Sequence, residues 1–245
     1  MILRRVIEHV RAQHWTAVFL DFFIVVVGIL IAFQITEWNQ ARKDRMKEAV
    51  YLVRLDAEMD VILERLEAGV AIARESSEAA ELLLAARVGR GDETNDAGPG
   101  NEDLRAALRL LRAGRVPAGS PAAFRQMVSS GELTLLRSED LRNALFAYDE
   151  FAAIAREVWR GGWDEFLWGY LRLVPLIAAD VDFDRPLSET YVVADFDHDA
   201  FFSDEDLDGA LRIVLGAKVN HYEVMQMQLS LAREIDTIIA RERAK

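Results

Sequence analysis

Between residues 15 and 35 the only polar side chains are Thr16, Asp21 and Gln34, and residues 22–33 are apolar without a break. A bilayer-spanning helix needs about 20 mostly apolar residues, so this run predicts a transmembrane helix over 15–36. Trp15 and Trp38 bracket it, as rings resting at headgroup level do, and in a helix they lie roughly 35 Å apart. No small-x-small cleavage site follows the run, so an uncleaved signal-anchor is expected rather than a removed signal peptide. A basic N-terminal tail, residues 1–14, precedes it. Arg4, Arg5 and Arg11 on one side nearly balance Arg42, Lys43, Arg45 and Lys47 on the other. The positive-inside rule gives little preference, and export of the larger C-terminal part to the periplasm is favoured slightly.

At 100° per residue, Ala17, Asp21, Gly28 and Ala32 project within about 40° of one line. Gly28 and Ala32 form a small-x-x-x-small pair, which lets two membrane helices approach closely. Asp21 is costly in lipid, so it is expected to face a partner, a water defect, or to be protonated. One use for it is proton or ion handling in a helical assembly; hydration near the surface and packing are the more ordinary uses.

A long juxtamembrane helix is expected over residues 37–88, since no proline precedes Pro99. Leu52, Leu55, Met59, Ile62, Leu66, Gly69 and Ala73 recur in steps of three and four, the spacing of a coiled-coil seam. Val50, Val53, Ala57 and Val61 form a second apolar flank, which predicts packing against more than one neighbour. Residues 89–100 read as a flexible loop whose Arg90-Gly91-Asp92 triplet carries no weight there. A helical segment over 101–179 begins with Leu104, Leu108 and Leu111 on one side. Pro121 suits the first turn of a helix, Gly131 a helix C-cap, and Ser138 a new N-terminus. Leu141, Leu145, Tyr148 and Ala152 then share a face. Trp159, Trp163, Phe166, Trp168 and Tyr170 crowd the next stretch, as core packing with a kink at Gly161-Gly162 or, alternatively, as a ligand pocket or a contact with the bilayer surface. Residues 180–203 read as an acidic connector. A C-terminal helix over 204–243, capped by Ser203, carries Leu207, Leu211, Val214, Tyr222, Met225, Leu229, Ala232, Ile235 and Ile239. It is long enough to pair antiparallel with the juxtamembrane helix. The expected fold is all-α, an elongated antiparallel bundle continuing from one transmembrane helix.

Composition narrows the chemistry. A net charge of −12 over 245 residues argues against nucleic acid, whose phosphates need clustered Lys and Arg. With no cysteine, thiolate catalysis and Cys-bound zinc are excluded. The four histidines form no His-x-x-x-His pair, and no phosphate loop or nucleophile motif occurs. Asp195, Asp197, Asp199 and Asp206 are the weak candidates for a cation, echoing an EF-hand loop whose glycine is replaced by Ala200 and whose closing Glu by Asp206. A solvated loop explains them equally well, so no metal or cofactor is expected.

The stretch Gly28-Ile-Leu-Ile-Ala-Phe-Gln-Ile-Thr-Glu-Trp38-Asn39 resembles the G-I-L-I-A-x-Q-I-x-x-W-N signature of an uncharacterised bacterial family of single-pass membrane proteins bearing a domain of unknown function. Asp21 holds the family's acidic position seven residues before the glycine. The segment SSGELTLLRSEDLRNALFAYDEF is similar to the family's S-G-x-L-x-L-I-x-D-x-x-L-x-x-x-L pattern, with Arg137 and Ser138 only approximating its Ile-x-Asp portion. The likeness covers about the first 55 residues well and the middle loosely. It implies membrane location and helical architecture, and no activity. The sequence therefore leads to a non-enzymatic, membrane-anchored interaction or scaffold protein of the bacterial inner membrane. Its partners would be the bilayer, further copies of itself, and another membrane protein as a further possibility. A membrane-anchored sensor with a helical ligand-binding domain, or an ion-coupled subunit using Asp21, are the alternatives.

Overall fold

The structure, a computed structural model, describes residues 15–89, 99–181, 184 and 191–244. Trp15, Ala17 and Asp21 lie in helical backbone, but their side chains fall outside the described residues, as do the 1–14 tail and most of the 89–100 loop. Six α-helices occur among the described residues: α1 (Trp15–Gly89), α2 (Asn101–Leu110), α3 (Ala122–Ser130), α4 (Glu139–Tyr170), α5 (His198–Ser203) and α6 (Leu207–Arg243). Strands β1 (Ile177–Val181) and β2 (Tyr191–Phe196) pair between α4 and α5 in sequence. The chain divides into two compact units, Met1–Val50 and Tyr51–Lys245.

Among the described residues the first unit is the part of α1 up to Val50. Within it Thr36 Oγ1 donates to the Ala32 carbonyl at 2.9 Å, so a polar side chain spends its hydroxyl on its own helix. Gln40 donates to Asp44 at 2.9 Å, one turn on.

The second unit is an all-α antiparallel bundle. The part of α1 from Tyr51 onward runs antiparallel to α6. Arg243 bonds Asp56, Arg233 Nη2 reaches Glu67 Oε1 at 2.8 Å, and Arg87 bonds Asp208. Helix α6 is antiparallel to α4 as well, pairing Asp140 with Arg241, Trp159 with His221, and Gly169 with Ala210. The heptad residues supply the seam: Leu52, Leu55, Met59, Ile62, Leu66 and Ala73 are all buried. Gly69 completes it, because a Cβ there would strike the Met225 side chain. The expected antiparallel pairing of the juxtamembrane and last helices is thus present.

Local signals act where the residues stand. Gly131 closes α3 with φ 73°, a left-handed conformation that favours glycine, and Ser138 Oγ accepts from Leu141 N at 3.2 Å to cap α4. Glu58, reaching from α1, accepts from Ala123 N at 2.9 Å and satisfies an orphan donor at the start of α3.

Three expectations need correction. The acidic connector contains a hairpin, with Ile177 opposite Phe196 and Val181 opposite Tyr191, and Ala194 is the extra residue of a bulge opposite Ala178/Ala179. Ser203 does not start the last helix: it ends α5, whose cap is Asp197, and α6 begins at Leu207. The flank Val50, Val53, Ala57 and Val61 is also not packed within the chain, since all four are exposed.

Candidate functional site

Two regions carry chemistry or surface that the fold itself does not consume. One is the apolar stretch of the first unit. Phe22, Phe23, Ile24, Val25, Ile29, Leu30, Ile31 and Phe33 are each more than half exposed, and Trp38 is 65 % exposed. Gly28 and Ala32 are exposed on the same helix, and nothing stands within 4 Å of where a Gly28 Cβ would sit. By length and composition helix α1 is apolar enough to cross a bilayer, and none of its apolar window is buried among the described residues. A soluble core helix would bury this surface; a solitary helix with apolar residues all round cannot do so by itself.

The other region is a polar layer inside the second unit. It lies between two apolar clusters, one gathering Leu55, Tyr148 and Ile235, the other Leu83, Phe166 and Leu211. On α6 the buried stripe runs Val214, Lys218, His221 and Met225, not through Tyr222 as the periodicity suggested. Lys218 is 3 % exposed; its ammonium donates to the Ala113 carbonyl at 3.1 Å and lies 4.1 Å from the Phe166 ring centre. Ala113 follows the last turn of α2, where unsatisfied carbonyls favour a cation. Burial lowers the Lys218 ammonium to about 8.

His221 is 6 % exposed, and its ring centre lies 4.4 Å from that of Trp159 with the planes tilted by 51°. Neither of its ring nitrogens has a hydrogen-bond partner among the described residues. Burial, and then the Lys218 charge, lower it to about 4, so the imidazole is neutral at pH 7. Trp159, Gly162, Trp163, Lys218 and His221 line a space of about 10 Å³. Ser76 and Ser77 add buried hydroxyls, which donate to the Leu111 and Arg74 carbonyls at 3.4 and 2.8 Å. These contacts tie α1 and α6 to the segment just past α2, and α4 joins through its Trp159 and Phe166 rings.

Sequence reasoning found the aromatic crowd and missed Lys218. The signal was available: Lys218 and His221 occupy stripe positions at steps of four and three between Val214 and Met225. The aromatic residues are shared out as core packing. Phe166 and Tyr170 are buried, whereas Trp168 points to solvent.

The aspartates proposed for a cation do not converge. Asp195 accepts from Arg105 at 2.8 Å and from its neighbour Phe196 N at 2.9 Å, and Asp197 caps α5 through Ala200 N at 2.9 Å. Asp199 stands in solvent, and Asp206 flanks α6 without a side-chain cap. No group of three or more metal-ligating side chains occurs among the described residues. Compared with protein-family models, with curated proteins and with solved structures, the chain matches none.

Proposed function

We propose that this chain is a membrane-anchored, non-enzymatic interaction or scaffold protein of the bacterial inner membrane that works as an oligomer, with its helical bundle on the periplasmic side. The observation that carries the reading is the uncovered apolar surface of α1, which needs an apolar environment that this chain does not supply. The Trp15 and Trp38 spacing and the likeness to the single-pass family point the same way. Within that helix the Gly28 and Ala32 pair offers the close approach on which membrane helices associate.

The bundle favours a holding role over a sensing one. The space beside Trp159 and Trp163 is about 10 Å³, and the hollow of about 470 Å³ lined by Glu165, Trp168 and Ile213 is open at the surface. Buried Lys218 and Ser76 spend their polar groups on the Ala113 and Leu111 carbonyls just past α2, contacts that hold helices together.

The natural absence of cysteine makes the test clean. Single Gly28→Cys and Ala32→Cys chains in native membranes should form disulfide dimers on oxidation, and Leu30→Cys, on the opposite side of the helix, should form fewer. Equal, background-level crosslinking at all three positions would remove the oligomer reading. Labelling of Glu157→Cys by an impermeant thiol reagent in intact cells with a permeabilised outer membrane tests the side of the membrane: labelling supports the periplasmic placement, and labelling only after lysis reverses it.

A further inference from the structure

The same helix carries a second uncovered stripe outside the apolar run. Met46 is 56 % exposed, Val50 60 %, Val53 55 % and Val61 55 %, and Ala57 is exposed among them. These positions advance by four, three, four and four residues, which keeps one face of a helix in line. The stripe is not the seam of the bundle. Leu52, Leu55, Met59 and Ile62 take that part and are buried. The fold has therefore used one apolar face of α1 and left another bare.

We infer that a second copy of this chain lies along Met46, Val50, Val53 and Ala57, parallel and in register with the first. The inference rests on the membrane-anchored oligomer proposed above and extends its contact beyond the lipid. Within the first unit, Gly28, Ala32, Met46 and Val50 fall within about 40° of one line at 100° per residue, so the contact argued for the membrane continues onto this stripe. Val53 and Ala57 then follow at the same spacing.

Two further observations select a copy of the same chain as the occupant. Anchoring in one bilayer would hold copies parallel and at equal depth, so each stripe residue meets its own counterpart across a two-fold axis. Such an axis tolerates no like charge at its contact positions, and from Met46 to Ala57 the stripe carries none. Two of the charges beside it are tied to their own chain: Arg54 Nη1 donates to Gln126 at 3.0 Å, and Asp56 accepts from Arg243. Val50, β-branched, suits the contact positions of a parallel pair.

Full-length chains carrying Val50→Cys, Val53→Cys or Ala57→Cys, each on the exposed face, test this in native membranes. Mild oxidation should shift most of each from 27.7 kDa to twice that mass, while Glu157→Cys on α4 stays at the monomer mass. Co-expression of two differently tagged Val53→Cys chains should give a product bearing both tags. If Gly28→Cys crosslinks and the three stripe variants match Glu157→Cys, the inference falls and the oligomer reading survives. If neither set crosslinks, both fall. A product whose mass is the chain plus an unlike protein would overturn the assignment of a second copy.

Discussion

Leu55 and Val53 sit two residues apart on α1, both aliphatic, with opposite fates. Leu55 is fully buried, covered in a cluster shared with α3, α4 and α6, whereas Val53 faces outward. The first unit repeats the outward case on a larger scale, with its phenylalanines, leucine and isoleucines uncovered around the helix. What separates the two regions is supply. For the seam, the chain brings its own cover; for the stripe and the apolar run, it brings none. Apolar surface without an internal cover is where partners act, and on our proposal those partners are lipid and a second copy.

That contrast can be broken by paired substitutions, beginning with the largest effect. Leu55→Ala should cost about 2–5 kcal/mol of stability, measured by denaturant unfolding of the detergent-solubilised chain, because it leaves a cavity in a packed seam. A loss below about 1 kcal/mol would mean the seam is not closed by α6.

The polar layer should make stability depend on acid. His221 sits at about 4 when folded, below the ordinary 6.5 of an unfolded histidine, so the unfolded chain takes the proton first as pH falls. The stability its neutral form contributes is complete above about pH 6.5 and disappears on the way down to about pH 4, at most about 3 kcal/mol. The excess slope over this window should vanish in His221→Gln. Equal slopes in both chains would show that the imidazole is not confined.

Gly169 marks the closest approach of α4 to α6, where a Cβ would lie 2.7 Å from the Ala210 carbonyl oxygen and 2.8 Å from Val214 Cγ2. Gly169→Ala should therefore destabilise despite the helix propensity it gains, since overpacking costs about 1–3 kcal/mol against a gain of about 1. A stabilised variant would place the two helices farther apart than described. The smallest effect is the most telling: Val53→Ala should change stability by less than about 0.5 kcal/mol in dilute detergent, where no second copy is present. A loss comparable to that of Leu55→Ala would mean the stripe is covered by its own chain.

Much of the bundle was legible because its signals are local and periodic. The seam from Leu52 to Ala73 follows one helical period, and the Gly131 and Ser138 caps use chemistry confined to a few residues. The hairpin was harder. Its strands are five and six residues long, rich in aspartate, and interrupted by the Ala194 bulge, so alternation never accumulates. Ser203 resembled a helix start because serine followed by an acid fits a cap equally well at the end of a shorter helix. Periodicity also finds apolar faces without saying which will be covered, so the flank from Val50 to Val61 was expected inside and lies outside. Lys218 and His221 escaped because a stripe search counts only apolar residues, while this fold runs two polar ones through the same line.

The central claim is that residues 15–36 rest in a bilayer, and alkaline carbonate extraction tests it directly. Full-length chain should remain wholly with the membrane pellet, and a chain with Val26→Arg and Ile29→Arg should move in large part to the supernatant, since each arginine at the helix centre adds about 2.5–3.5 kcal/mol against insertion. Recovery of the unaltered full-length chain in the supernatant would contradict the account.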